Sequence, residues 1–239
     1  MNLHRETRLL IGYYDYTVWL TYCSLISAGI GIFSSLSGTG HPYIGMFFLL
    51  LSGLCDAFDG KVARTKKNRT EMQIDFGIQI DSLADLVAFG VLPASIGVSM
   101  LRIFDHTWGF HPRTGSTLLV HLALYTVLVF YVLAALIRLA YFNVLEAQRR
   151  KDGGTGANKE YRGLPVTSAA LLFPTVLLIQ YATSIDITFT YFATILVTGV
   201  LFITPFNLKK PGTREILIMV GIGALELAAL IVMKIIAHR

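Results

Sequence analysis

Residues 16–55 read YTVWLTYCSLISAGIGIFSSLSGTGHPYIGMFFLLLSGLC, forty positions without an Asp, Glu, Lys or Arg. About 20 apolar residues in a helix already cross the hydrocarbon of a bilayer, so this run has room for two passes. The Ser37-Gly38-Thr39-Gly40 turn, with Pro42 beyond it, divides them. The first pass is expected from about Thr17 to Leu36 and the second from about Tyr43 to Arg64.

The same pattern repeats downstream. Charge-free runs extend from Thr114 to Ile137, Gly163 to Ile185 and Ile187 to Leu208. Further spans are expected at about Ile78–Leu101 (with Pro93 as a relieved kink), Ser116–Leu145 (its end projecting into water), Val166–Thr183, Thr188–Phe206 and Glu215–Ile236. The 239 residues are 54% hydrophobic and 15% charged, where soluble domains carry roughly a quarter. A soluble enzyme, a disordered tail and a nucleic-acid module are poor fits. The expected fold class is all-α, a polytopic membrane helix bundle.

Basic residues set the orientation. With the N-terminus in the cytoplasm, sixteen Lys and Arg fall in inner segments and four (Arg102, Arg113, Lys234, Arg239) in outer ones. Residues 1–16 carry Leu3, Leu9, Leu10 and Tyr13 among charges, which suits a short interfacial helix. Gly153-Gly154-Thr155-Gly156 reads as a flexible inner linker. Cys23 and Cys55 lie in apolar segments and read as small core residues. The six histidines form no ligand spacing with acids or cysteines.

The chemistry is concentrated where the second span meets the third. Asp56 and Asp59 are spaced i, i+3, and Asp81 and Asp85 i, i+4, so each pair projects from one helix face. The helices are consecutive and antiparallel, which lets the four carboxylates converge at the cytoplasmic boundary. A carboxylate in a membrane helix costs several kcal/mol without compensation. Hard divalent cations are the natural partners of an all-oxygen donor set, Mg²⁺, Mn²⁺ or Ca²⁺, and two of them balance four such charges. Two metals clamping a phosphoryl group is a recurring catalytic device. A structural cap or surface role explains any one of these acids but not four in register.

The pattern Asp56-x-x-Asp59-Gly60-x-x-Ala63-Arg64, followed by Gly77-x-x-x-Asp81-x-x-x-Asp85, resembles the signature of the CDP-alcohol phosphatidyltransferases. That resemblance implies a six-helix membrane core over residues 17–210, working as a homodimer, with the helix in 211–239 as an added span. It also implies an enzyme that displaces CMP from a CDP-linked lipid with an acceptor hydroxyl. Asp56 and Asp81 would bridge two divalent cations, Mg²⁺ or Mn²⁺, and Asp59 would bind one. Asp85 would touch the second and accept the proton of the attacking hydroxyl. Gly60, Ala63, Arg64 and Gly77 would contact CDP-diacylglycerol.

Asp81–Ala94, Arg138–Val144 and Tyr161–Val166 are similar to the members that use L-serine as acceptor. For a serine carboxylate Arg138 is the first candidate, with Asn143 supplying amide hydrogen bonds. Two features depart from the family. The Thr65–Phe76 stretch is longer than usual, and Ile74 stands where many members have a small hydroxyl residue. Sister acceptors, glycerol 3-phosphate or inositol phosphate, stay open, as does a cation-coupled transporter. No internal repeat supports the transporter. Glu226, inside the last span, is a proton-relay candidate or a partner for Lys234.

Overall fold

The apolar runs become helices in the computed structural model, which describes residues 11–108, 115–151, 160–183, 186–209 and 213–237. Helices α1 (Trp19–Leu36) and α2 (Pro42–Ala63) form an antiparallel pair. A long rod follows, made of α3 (Glu71–Asp85), a π-helical segment (Leu86–Val91) and α4 (Leu92–Trp108). Helix α5 (Gly115–Lys151) has 37 residues, about 55 Å at 1.5 Å per residue, well beyond the hydrocarbon thickness. Helices α6 (Ala169–Thr183), α7 (Thr188–Ile203) and α8 (Thr213–Ala237) complete the bundle. The rods α1, α2, α3–α4 and α5 are each long and apolar enough to cross a bilayer; α6 and α7 are shorter. The protein is a multi-pass membrane helix bundle.

The third rod is longer than its expected form at both ends, and its passage through Pro93 is as expected. It begins at Glu71, seven residues before Ile78, because Thr70 and Gln73 form a reciprocal capping box. Hydropathy alone reads these charged first turns as loop. Helix also continues through Pro93, preceded by the π-turns. Proline has no N–H to offer the carbonyl four residues back, and at Phe89 the Tyr131 hydroxyl donates to that carbonyl instead.

The bundle interior is aromatic. Tyr131 packs against Phe173 and Phe202, and Phe173 against Tyr191, with ring centroids 5.3–5.6 Å apart. Each of these rings is fully buried. At the far end from the acids, Arg102 of α4 donates to the carbonyls of Ser35, Ser37 and Gly40. It thereby ties the C-terminal turn of α1 to the third rod.

A short antiparallel ladder breaks the all-helical pattern. Strand β1 (Glu160–Arg162) pairs with β2 (Asn207–Lys209). Gly163 follows it at φ +80°, donating its N–H to the Phe206 carbonyl at 2.6 Å. The expected interfacial helix is not formed over its described part: residues 11–18 make turns, and residues 1–10 lie outside the described residues. The Gly153–Gly156 linker also lies outside them.

Candidate metal and nucleotide site

The site is positioned first by a polar stripe along α1. Thr21, Ser24 and Ser27 recur every three residues and face α2. Ser24 donates to the Ser52 carbonyl at 3.2 Å and Ser52 returns a bond to the Ser24 carbonyl at 3.0 Å. Ser27 donates to the Phe48 carbonyl at 2.9 Å. One step further along, the Thr21 hydroxyl donates to Asp59 Oδ2 at 3.1 Å. Small hydroxyl side chains are common glue between membrane helices, and here their last member orients an acid.

Helices α2 and α3 then bring the carboxylates together. Asp56, Asp81 and Asp85 each offer an oxygen within 4.8 Å of the others. Asp59 stands outside that trio but faces Asp81, and Asp56 faces Asp85, at the spacing of carboxyls that share a hydrogen bond when one is protonated. Asp59 and Asp85 are buried. Among the described residues none of the four forms an ion pair with Lys or Arg. Oδ1 of Asp81 is buried with no hydrogen-bond partner.

A buried acceptor left unsatisfied costs about 1–3 kcal/mol or more. A cluster of four acids with such an orphan oxygen and, among the described residues, no ion pair to a Lys or Arg fits a hard divalent ion, which takes oxygen ligands.

A cavity of about 490 Å³ opens beside the acids. Asp59, Gly60, Ala63, Arg64, Gly77 and Asp81 line it, so every position expected to touch CDP-diacylglycerol borders one space with two of the carboxylates. A Cβ at Gly60 would lie 3.3 Å from Nη1 of Arg64, which folds back over the helix, so the bare backbone there lets the guanidinium lie close. Thr17, Val18, Thr21, Arg69, Ile74, Ile78 and Arg150 complete the lining. Of these the sequence marks Ile74, at a position where many members of the family carry a small hydroxyl residue, and Arg69, as part of the Lys66–Arg69 basic run; it assigns no role to the others. Thr21 had a signal in its stripe with Ser24 and Ser27; Arg150 had none, being one of the run Arg149-Arg150-Lys151.

The two serine-site candidates lie on α5. Arg138 is buried; its Nε donates to the Leu164 carbonyl at 3.1 Å and its Nη2 to that of Gly163 at 3.5 Å. Its guanidinium also lies over the Phe142 ring. Asn143 Oδ1 accepts from Ser82 Oγ at 3.0 Å, which ties it to the helix carrying Asp81 and Asp85. Glu226 is buried and accepts from Thr175 at 2.5 Å; the Lys234 side chain lies outside the described residues.

A segment preceding α1 closes over the loop beside the cavity. Asp15 accepts from the Thr17 amide at 3.0 Å, from the Thr17 hydroxyl, and from Lys66 Nζ at 2.9 Å. These partners hold its carboxyl at about 2, below the ordinary aspartate value near 4. Tyr13 packs edge-on against Phe76, 5.2 Å between centroids.

The family model for CDP-alcohol phosphatidyltransferases matches residues 17–204. The chain belongs to the CDP-alcohol phosphatidyltransferase family. It is 36% identical over 159 residues to the CDP-diacylglycerol–serine O-phosphatidyltransferase of Saccharomyces cerevisiae, covering 63% of this chain and 50% of that protein. It is 32% identical over 149 residues to the archaetidylserine synthase of Methanothermobacter thermautotrophicus, covering 62% and 52%. The corresponding serine enzyme of Helicobacter pylori J99 is 30% identical over 144 residues, covering 60% and 50%. The chain spans about half the length of the curated relatives it matches. Among CDP-alcohol phosphatidyltransferase residues, the signature acids are those the bundle gathers beside the cavity.

Proposed function

We propose that this protein is a CDP-diacylglycerol–serine O-phosphatidyltransferase. The observation that supports it is the meeting of Asp56, Asp81 and Asp85 within 4.8 Å, beside a cavity bordered by Gly60, Ala63, Arg64 and Gly77. The choice of serine rests on what the relatives are named for. Residues 17–210 form the catalytic core, 211–239 an added membrane helix and 1–16 a surface segment. The site faces the cytoplasm from the cell membrane, and the working unit is a homodimer.

The serine hydroxyl oxygen forms a bond to the lipid-bearing phosphorus of CDP-diacylglycerol while the bond from that phosphorus to the CMP oxygen breaks. CMP leaves with the electron pair, and the hydroxyl proton passes to Asp85. Asp56, Asp59, Asp81 and Asp85 would hold two divalent cations, Mg²⁺ or Mn²⁺. Such ions, when bound, draw charge from the diphosphate and improve CMP as a leaving group. Asp85 contributes a positioned acceptor for the proton. Thr21 fixes the Asp59 carboxylate through its hydroxyl. Gly60 leaves space for the nucleotide to approach backbone, and Arg64 pairs with phosphate. Arg138 and Asn143 are the residues proposed for the serine carboxylate, and buried Arg138 also holds the Gly163–Leu164 turn.

The test is CMP release by the purified chain in mixed micelles of CDP-diacylglycerol with Mg²⁺ or Mn²⁺. L-serine, glycerol 3-phosphate, inositol phosphate and no acceptor run in parallel, with Asp81→Asn as control. Serine-dependent release that vanishes in the control is expected. Release with a different acceptor only would overturn the serine reading.

A further inference from the structure

Three guanidiniums border the cavity, but the family signature contains only Arg64. Arg69 comes from the connection between α2 and α3, and Arg150 from the extension of α5. Basic residues near helix ends are ordinary in membrane proteins. These two stand out by lining the same space as Asp59 and Asp81 and by how little holds them. Arg69 is half-buried and has no ion pair or side-chain hydrogen bond among the described residues.

Arg150 reaches Asp75 and Glu146 only at 3.5 Å each. Glu146 is already taken at 2.7 and 2.9 Å by Arg149. A contact of 3.5 Å is at the edge of a hydrogen bond, so the Arg150 guanidinium borders the cavity while held only loosely by its two acids. Cations lining one wall of a cleft concentrate anionic ligands there, and a guanidinium fork matches two phosphate oxygens at once.

We infer that Arg69 and Arg150 form a phosphate subsite that grips the diphosphate of the CDP-linked donor, Arg150 exchanging its loose contacts with Asp75 and Glu146 for it. This deepens the transferase reading and rests on it. A diphosphate has more oxygens than Arg64 alone can bind, and the two added arginines approach it from other elements. Closing on the donor would then draw the α5 extension toward the α2–α3 connection.

The experiment uses the full chain in detergent with Mg²⁺. Binding of CMP and of cytidine is measured by titration calorimetry, and KM for CDP-diacylglycerol and for serine by CMP release. The variants are Arg69→Gln, Arg150→Gln, Arg150→Lys and Asp75→Asn. Wild type is expected to prefer CMP to cytidine. That preference should fall about tenfold or more in each Gln variant, the usual scale of a lost charge-assisted bond. KM for the donor should rise to match while KM for serine holds. Arg150→Lys should recover part of the loss.

Asp75→Asn separates a mere tie between α3 and α5 from a ligand contact, since it breaks the tie and leaves Arg150 in place. It should bind CMP as wild type does. Gln variants that keep the CMP preference would overturn the proposal. So would a KM change confined to the acceptor, or an Asp75→Asn variant as weak as Arg150→Gln. Absence of CMP release by wild type with every acceptor would bring down the transferase reading, while the CMP-against-cytidine comparison would still decide the subsite.

Discussion

The Tyr131 hydroxyl donates a 2.6 Å hydrogen bond to the carbonyl of Phe89, the group that Pro93, four residues on, cannot serve. Tyr191 does the same for the carbonyl of Pro93 itself, at 2.8 Å. Both tyrosines are fully buried, so water cannot replace them. Tyr131→Phe should cost about 1–3 kcal/mol, the scale for a buried acceptor left unsatisfied. Thermal unfolding in detergent checks this; an unchanged midpoint would show that Ala94 or another donor serves Phe89 instead.

The four site acids repel one another, and no Lys or Arg among the described residues is ion-paired to them. Asp56→Asn or Asp81→Asn should therefore raise the melting temperature of the protein in EDTA. The same substitutions should abolish stabilisation by added Mg²⁺ or Mn²⁺, because a ligand that binds only the folded state stabilises in proportion to its affinity. Lower stability in EDTA would mean that these carboxylates are structural acceptors.

Asp15 gives a pH dependence of known sign. Its carboxyl is held at about 2 by Thr17 and Lys66, against about 4 in an unfolded chain. The native state thus favours the ionised form, and the tether is complete above pH 4. It weakens as pH falls from about 4 toward 2. Amide hydrogen exchange of residues 11–18, corrected for the intrinsic rate, should show protection falling across that window. Asp15→Asn should remove the dependence, and protection that ignores pH in wild type would sink the idea.

Gly163 is strained for any other residue. Its φ is +80°, and a Cβ would sit 3.0–3.5 Å from the carbonyls of Thr204, Phe202 and Leu201. Gly163→Ala should destabilise by at least 1–2 kcal/mol, the cost of a left-handed conformation for an L-residue. It should also loosen the Gly163–Leu164 turn on which Arg138 bonds. Limited proteolysis near residue 163, compared between wild type and variant, reads this directly; equal resistance would count against it.

Much of the bundle is legible in the sequence because bilayer crossing demands long apolar runs. Residues 17–36 were expected as the first span and α1 occupies Trp19–Leu36. The acids were legible for the same reason: charge inside apolar helices stands out, and helical spacing gives its face. What escaped was either local chemistry masked by polarity or pairing between distant segments. Glu71 and Asp75 made the first turns of α3 look like loop, although Thr70 and Gln73 spelled a cap. The β1–β2 ladder joins residues 160–162 to 207–209, and three-residue strands leave no periodicity to read. Arg69 and Arg150 carry the charge that is ordinary near the ends of membrane helices; only the folded chain shows that they share a cavity.

The serine stripe between α1 and α2 has a mechanical consequence. Sliding the two helices by one residue is a shift of about 1.5 Å, and it breaks the Thr21, Ser24, Ser27 and Ser52 bonds together. The pair thus resists shear like a key in its slot. Asp59, seated at the last tooth through the Thr21 hydroxyl, is thereby locked to the axial register of α1, so that shear between the two helices would displace a site acid and not only a packing contact.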